Sequence, residues 1–231
     1  MIRINQSTIR DCLIKEMRVD GRQLDMYRRI VITNDTKGTL IELGSTIIYV
    51  KSVLTLERVE KSRLILECDP SERWMSSVLD QSIDMESLMV NKKVGWIIKV
   101  QLVKIQDDGN LNDAYFIGVL ANLLTIKKLH VDAKLNILSK DIRNPSQLQL
   151  LYYPVSITIC LFEDKLIVDP TLEECDLAEG IVAIVVNEHE EVCSFLPLKA
   201  TILNAAQIND LFTLAIAKAS EIRTFVRQYK K

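Results

Sequence analysis

Twice along this chain a series of short strand-like segments gives way to one long helix-forming stretch, and no Gly-, Ser- or Pro-rich linker separates the two halves. A sheet with one apolar face must bury that face, and the helix that follows it is the nearest available cover. The pattern therefore predicts an α+β domain whose mixed sheets carry helices, with the whole of 1–231 as a single domain and an internal duplication as a natural corollary. In the first half, residues 29–34 are β-rich. Residues 39–43 and 46–50 flank Gly44-Ser45 as a tight hairpin, and 63–68 forms a further strand. In the second half, 155–162 and 166–169 flank Glu163-Asp164-Lys165, and 181–186 and 192–196 flank an acidic turn at 187–191.

The helices announce themselves by period and by punctuation. Thr8 to Glu16 places Ile9, Leu13 and Ile14 at helical spacing. Asp69-Pro70-Ser71-Glu72 reads as a helix start, with Asp69 as cap, Pro70 at the first position and Glu72 completing a capping box. Met75, Val78, Leu79 and Ile83 line one face of the helix that follows. Trp96, Ile98, Val100 and Leu102 alternate with Lys99 and Gln101, a strand buried on one side. After a polar loop at 106–112 comes a strongly apolar helix over 113–128. The chain closes with a helix from about Asn204, striped by Ile208, Leu211, Phe212, Ala215, Ile216, Ala219 and Ile222. Lys127-Lys128 and Lys230-Lys231 then end helices, where cations suit the macrodipole.

Composition narrows the chemistry. The chain is 48% apolar and 26% charged, with a net charge of −2 and a pI near 5.8. A free-standing nucleic-acid-binding domain is usually strongly basic, so any contact with RNA is local or shared with partners. The five cysteines (Cys12, Cys68, Cys160, Cys175, Cys193) are scattered and form no CxxC, and His130 and His189 lie near no cysteine pair. This predicts buried, reduced thiols in a cytosolic or nuclear protein and no zinc site. The N-terminus lacks the apolar core of a secretory signal. The longest uncharged stretch, 144–162, is interrupted by Pro145 and Pro154 and is not a membrane span. There is no GxGxxG, P-loop or GxSxG. Asp107-Asp108-Gly109-Asn110 lacks the spacing of a calcium loop and reads as a polar turn capping the next helix.

Several motifs, in order and spacing, carry a resemblance. Arg18-Val19-Asp20-Gly21-Arg22, then Arg28 and the Gly44-Ser45-Thr46 hairpin, look like the opening of the RNase PH superfamily. Glu86-Ser87-Leu88-Met89-Val90, Trp96, the run from Asp108-Gly109-Asn110 to Ala114, Tyr153-Pro154-Val155 and the run from Val168-Asp169-Pro170 to Glu173-Glu174 narrow it further. Together they resemble the RNase PH-like ring subunits of the eukaryotic RNA exosome, in the branch of the members numbered forty-two, forty-three and forty-five; the C-terminal half looks most like the forty-three member. The resemblance runs from about Ile9 onward. It implies an RNase PH-like (ribosomal protein S5 domain 2-like) fold and a hexameric ring built with other RNase PH-like subunits. It also implies S1/KH-type cap subunits, RNA passing through the assembled channel, and residence in the nucleus, nucleolus and cytoplasm with no membrane.

The departures from the pattern bear on activity. Active members hold phosphate with an arginine after a Gly-Gly-Thr segment; here the segment is Asn110-Leu111-Asn112, and an amide cannot replace the cationic fork. The helix that would supply a second phosphate arginine has Arg73 at its start and no base over 76–81. Active members also pair two aspartates six residues apart around magnesium. Asp169 matches the first and Cys175 occupies the second, a neutral thiol where a hard cation seeks oxygen. Asp169-Pro170 then reads as a strand end, and Glu173-Glu174 as a solvated helix start. The reading is of a non-catalytic ring subunit with no catalytic residue, metal or cofactor. The alternatives are an active phosphate-dependent 3'-5' exoribonuclease or an unrelated α+β scaffold. Arg58, Lys61 and Arg63, three cations in six residues after the strand at 46–56, are the candidate RNA contacts.

Overall fold

The computed structural model describes residues 6–129, 131 and 145–229; His130, Lys230 and Lys231 lie outside them. The first half forms a six-stranded sheet of β1 (Ile30–Asn34), β2 (Thr39–Leu43), β3 (Thr46–Arg58), β4 (Leu64–Glu67), β5 (Met89–Asn91) and β6 (Val94–Gln106). Its order is β1-β2-β3-β6-β4, with β5 also on β6. Long β3 and β6 run antiparallel from Ile47↔Gln106 to Arg58↔Val94, while β4 lies parallel to β6. Gly44 adopts φ 57°, the left-handed conformation that glycine enters without a Cβ penalty. A side chain there would also run into Arg28.

The helices are α1 (Gln6–Ile14), α2 (Met75–Gln81), α3 (Leu111–Leu123), α4 (Leu172–Leu177) and α5 (Ala205–Gln228), and β7 (Lys127–Lys128) pairs with β8 (Ser146–Gln147). The second half contributes β9 (Val155–Phe162), β10 (Lys165–Val168), β11 (Gly180–Val186) and β12 (Val192–Lys199), in the order β10-β9-β11-β12. Every pair in this sheet is antiparallel. Among the described residues only the first sheet is mixed, because β4 runs parallel to its neighbour β6.

One continuous core holds Ile41 and Ile48 from the first sheet, Phe116 and Leu120 from α3, Ile157 and Ile184 from the second sheet, and Leu211 and Ala215 from α5. Helix α3 packs on both β3 and β9 and is buried from Asn112 to Leu123. A helix covered on all sides needs no polar face, which is why it is apolar throughout; of the two long helices only α5 is amphipathic. Strand β9 is buried at every position, because a smaller cluster of Ile9, Leu13, Cys160, Phe162, Ile167 and Ala178 covers its other face. On α5, Asn204 and Gln207 form a reciprocal capping box. Arg223 then anchors the helix by donating to the carbonyls of Tyr153, Val186 and Asn187.

Three local expectations fail for identifiable reasons. Asp69 makes no capping bond; Pro70–Glu72 is a separate 3-10 turn and α2 begins only at Met75. Glu72 accepts from the Ser71 hydroxyl instead of reaching back, and Trp74 packs against Phe116 of α3, 5.7 Å between ring centroids, so a tertiary contact sets the start. Helix α3 stops at Leu123, and Lys127-Lys128 lies in β7, with the Lys128 Nζ donating to the Ser87 carbonyl at 2.5 Å. Of the cysteines, all free, only Cys160 is fully buried and Cys193 is exposed.

Gly118 marks where α3 meets the first sheet. A Cβ on it would lie 2.7 Å from Val50 Cγ2 and 3.0 Å from both Ile41 Cγ1 and Ile48 Cδ1. Gly118→Val is expected to cost about 1–3 kcal/mol or more by overpacking, despite the glycine's poor helix propensity. Urea unfolding of the two proteins measures it.

Candidate functional site

At the end of β10 the chain places Asp169, fully buried and at φ 49°, where a metal-binding carboxylate is implied. Its two oxygens accept five hydrogen bonds. Oδ2 receives the Arg28 backbone N–H at 2.7 Å, Arg28 Nε at 3.0 Å and Arg22 Nη1 at 3.0 Å. Oδ1 receives Arg28 Nη2 at 2.8 Å and Asn110 Nδ2 at 2.6 Å. A carboxylate offers about four lone-pair sites, so this one is saturated by the protein, and two of its partners are cations. A divalent cation would have to displace both guanidiniums.

Around it each element supplies one strut. Arg28 also donates to the carbonyls of Asp108 at 2.8 Å and Gly109 at 3.1 Å. Thr46, at the start of β3, donates to the Gly109 carbonyl at 2.7 Å and accepts from the Asp108 N–H. Gly109, φ 85°, lies so close to the 170–172 backbone that a Cβ would meet Leu172 N at 2.5 Å. Arg18 grips Glu174 through Nε at 2.9 Å and through Nη2, and donates to the carbonyls of Val168 and Asp169, both at 2.8 Å. Glu174, read from sequence as solvated, is buried. It closes a capping box with Thr171, and the same carboxylate satisfies Arg18. The paired arginines of the 18–22 motif are thus bound inside the protein, a role that spacing alone does not reveal.

The two positions that would complete a catalytic site are diverted as well. Asn110, φ 59°, makes no helix cap with its side chain; its amide bridges Asp169 and Asp113, the latter at 2.9 Å. Burial pushes the Cys175 thiol up to about 12, so it stays neutral at physiological pH and cannot replace a carboxylate for magnesium. The residues do not fit that ion. Among the described residues no three His, Cys, Asp or Glu side chains gather as metal ligands. Asp113 is a further buried acid. It accepts from Tyr27 Oη at 2.6 Å, Thr158 N at 2.9 Å and Thr158 Oγ1 at 2.9 Å, yet loss of solvent raises its pKa to about 6.

Arg58, Lys61 and Arg63 are all exposed, Arg58 as the last residue of β3 and the others in the turn before β4. Thr46, at the other end of β3, belongs to the Asp169 cluster. Twelve residues of strand span roughly 40 Å, so these cations form a separate surface. His189 lies exposed in the β11–β12 turn.

Residues 152–218 match the family described as the 3' exoribonuclease family, domain 2. The chain is similar to the exosome complex component Rrp42 of Methanopyrus kandleri, 26% identical over 91% of each chain. It is also similar to the exosome complex component RRP45 of Danio rerio, 28% identical over 93% of this chain and 64% of that one. A solved archaeal exosome core chain superposes with a TM-score of 0.82 at 21% identity, covering 96% of both. The chain has an RNase PH-like fold. These two relatives are of the forty-two and forty-five types, and the forty-three member is not confirmed. Asp169, the position where the resemblance implies a metal ligand, has its carboxylate taken by Arg22, Arg28 and Asn110 of this chain.

Removing one member of a buried ion pair strands the other and typically costs about 3–5 kcal/mol. Asp169→Ala and Arg18→Ala should each lose about that much in urea unfolding, whereas a carboxylate kept open for a ligand would cost little. Asp113 gives a pH signature. Its folded pKa lies above the unfolded 3.8, so the folded state holds the proton longer. Stability therefore falls as pH rises from about 4 to about 6, by about 3 kcal/mol in all, and levels off above. In Asp113→Asn, whose amide can donate to Thr158 Oγ1, that segment of the stability–pH curve should flatten.

Proposed function

We propose that this chain is a non-catalytic ring subunit of an exosome, supporting 3'-to-5' RNA processing and degradation as scaffold and channel wall. The observation that carries this reading is Asp169, whose carboxylate is filled by Arg22, Arg28 and Asn110, with Cys175 where a second acid is needed. The relatives' name, exosome complex component, supports a place in an assembly beside other RNase PH-like subunits; the hexameric ring, the S1/KH-type caps and residence in nucleus, nucleolus and cytoplasm are what the family resemblance implies. The whole chain acts as one RNase PH-like unit. Arg58, Lys61 and Arg63 are proposed to meet RNA phosphates in the assembled channel. With a net charge of −2 the free subunit has little long-range attraction for RNA, because phosphate neutralisation supplies most non-specific affinity.

Pure protein incubated with single-stranded RNA, phosphate and magnesium should release no nucleoside diphosphates; their appearance would favour the exoribonuclease reading and end this one. In a ring reconstituted with partner subunits, changing Arg58, Lys61 and Arg63 together to Ala should leave assembly intact. It should also flatten the salt dependence of RNA binding by up to about three charges. An unchanged slope would make them ordinary solvated cations.

A further inference from the structure

A groove of about 370 Å³ lies between α2 and the β11–β12 turn, with Val78, Gln81, Tyr152, Pro154, Glu191 and Val192 among its walls. It shares no residue with the Asp169 cluster. The chain between the two walls ties them together. The carbonyl of Ser82, the C-cap of α2, accepts from the Leu151 N–H at 2.8 Å and the Tyr152 N–H at 3.3 Å. On the other side Glu188 Oε2 accepts from the Tyr153 N–H at 2.7 Å. Buried Asn187 shapes the turn. Its Oδ1 accepts the N–H groups of His189 and Glu191, and its Nδ2 donates to Glu191 Oε2 at 2.7 Å. A groove fixed in this way needs little ordering when a ligand arrives.

We propose that this groove takes an arginine side chain presented by a partner protein, its aliphatic stem against Val78, Pro154 and Val192 and its guanidinium on Glu191 and the Tyr152 ring. Arginine buries its stem while keeping its charged head at a rim. Its planar fork can stack on an aromatic ring and bind a carboxylate together, which the compact lysine ammonium does not do. Tyr152 and Glu191 are both exposed. Among the described lining residues Glu191 alone is charged, and Glu188 and Glu190 stand on the same turn. None of the three forms an ion pair among the described residues. The nearby cations are committed elsewhere: Arg223 donates to three backbone carbonyls, and Arg227 lies 4.4 Å over the Tyr153 ring. Burial raises the pKa of the Cys193 thiol on the groove wall, and Glu191 and Glu188 raise it further against the opposing effects of the Asn187 backbone and Arg223. An RNA strand fits less well. Tyr152 offers a base a stacking surface, but the glutamates of the turn repel phosphate. The inference goes beyond the ring reading and shares no residue with the proposed RNA contacts.

The probe is a fluorescent peptide, Gly-Val-Arg-Val-Gly, blocked at both ends and titrated onto the full chain. Binding should be saturable, about tenfold weaker in Glu191→Gln, and weakened also in Tyr152→Leu. Gln81→Glu, which adds a carboxylate to the same groove, should tighten it. A peptide with citrulline for arginine, equal in shape but uncharged, should not compete, and one with lysine should compete weakly. Absence of saturable binding, equal affinity for the citrulline peptide, or indifference to Glu191→Gln in a protein with unchanged circular dichroism overturns the proposal. So does oligoadenylate RNA that binds through Tyr152 and displaces the peptide. Because Arg58, Lys61 and Arg63 lie outside the groove, changing them together to Ala tests the RNA reading alone and should leave peptide binding unchanged.

Discussion

The bond set around Asp169 holds the two halves of this protein together. Burying a carboxylate without partners is prohibitive, and here burial is made tolerable by two guanidiniums, an amide and a backbone N–H drawn from the N-terminal segment and from the loop before α3. Each donor is in turn fixed elsewhere: Arg28 by the carbonyls of Asp108 and Gly109, Arg22 by Asp20. Glycine at 44 leaves the room that Arg28 needs, and Gly109 lets its loop close on the 170–172 backbone. The arrangement explains why the N-terminal segment, which contributes no strand to the second sheet, is nonetheless held against it.

The same chemistry separates this site from one that acts on a ligand. A working metal or phosphate site keeps charged groups under-satisfied until the ligand arrives; here the charges are neutralised internally. Asn110, Cys175 and Arg22 point the same way from three different elements. What the fold retains is a rigid body with an exposed cationic turn at one end of β3 and the filled site at the other.

Much of the architecture was legible because burial follows period. The strands at 29–34, 39–43, 155–162 and 181–186, and the stripe of α5, need only alternation or helical spacing to be recognised. The capping box at Asp69 was misread because a ring contact between Trp74 and Phe116 decides where α2 begins, and no local signal encodes that. The end of α3 was overrun because apolar residues continue past Leu123 into Leu124 and Ile126. In the site, Asp169 was legible as a strand-end acid, but Glu174 was taken for a solvated residue. Its partner is Arg18, and neither helix period nor strand alternation links positions so far apart.

That distance has a kinetic side. Arg18 and Glu174 are 156 residues apart in the chain and Arg28 and Asp169 are 141 apart. Contacts of such separation close large loops and form late. On a ribosome the first thirty or so residues emerge long before their carboxylates exist, carrying three arginines that belong in the interior. Until β10 and α4 follow, those cations are free to pair with whatever acid is near. The buried positions of Arg18 and Arg28 are thus complete only once both ends of the fold have met.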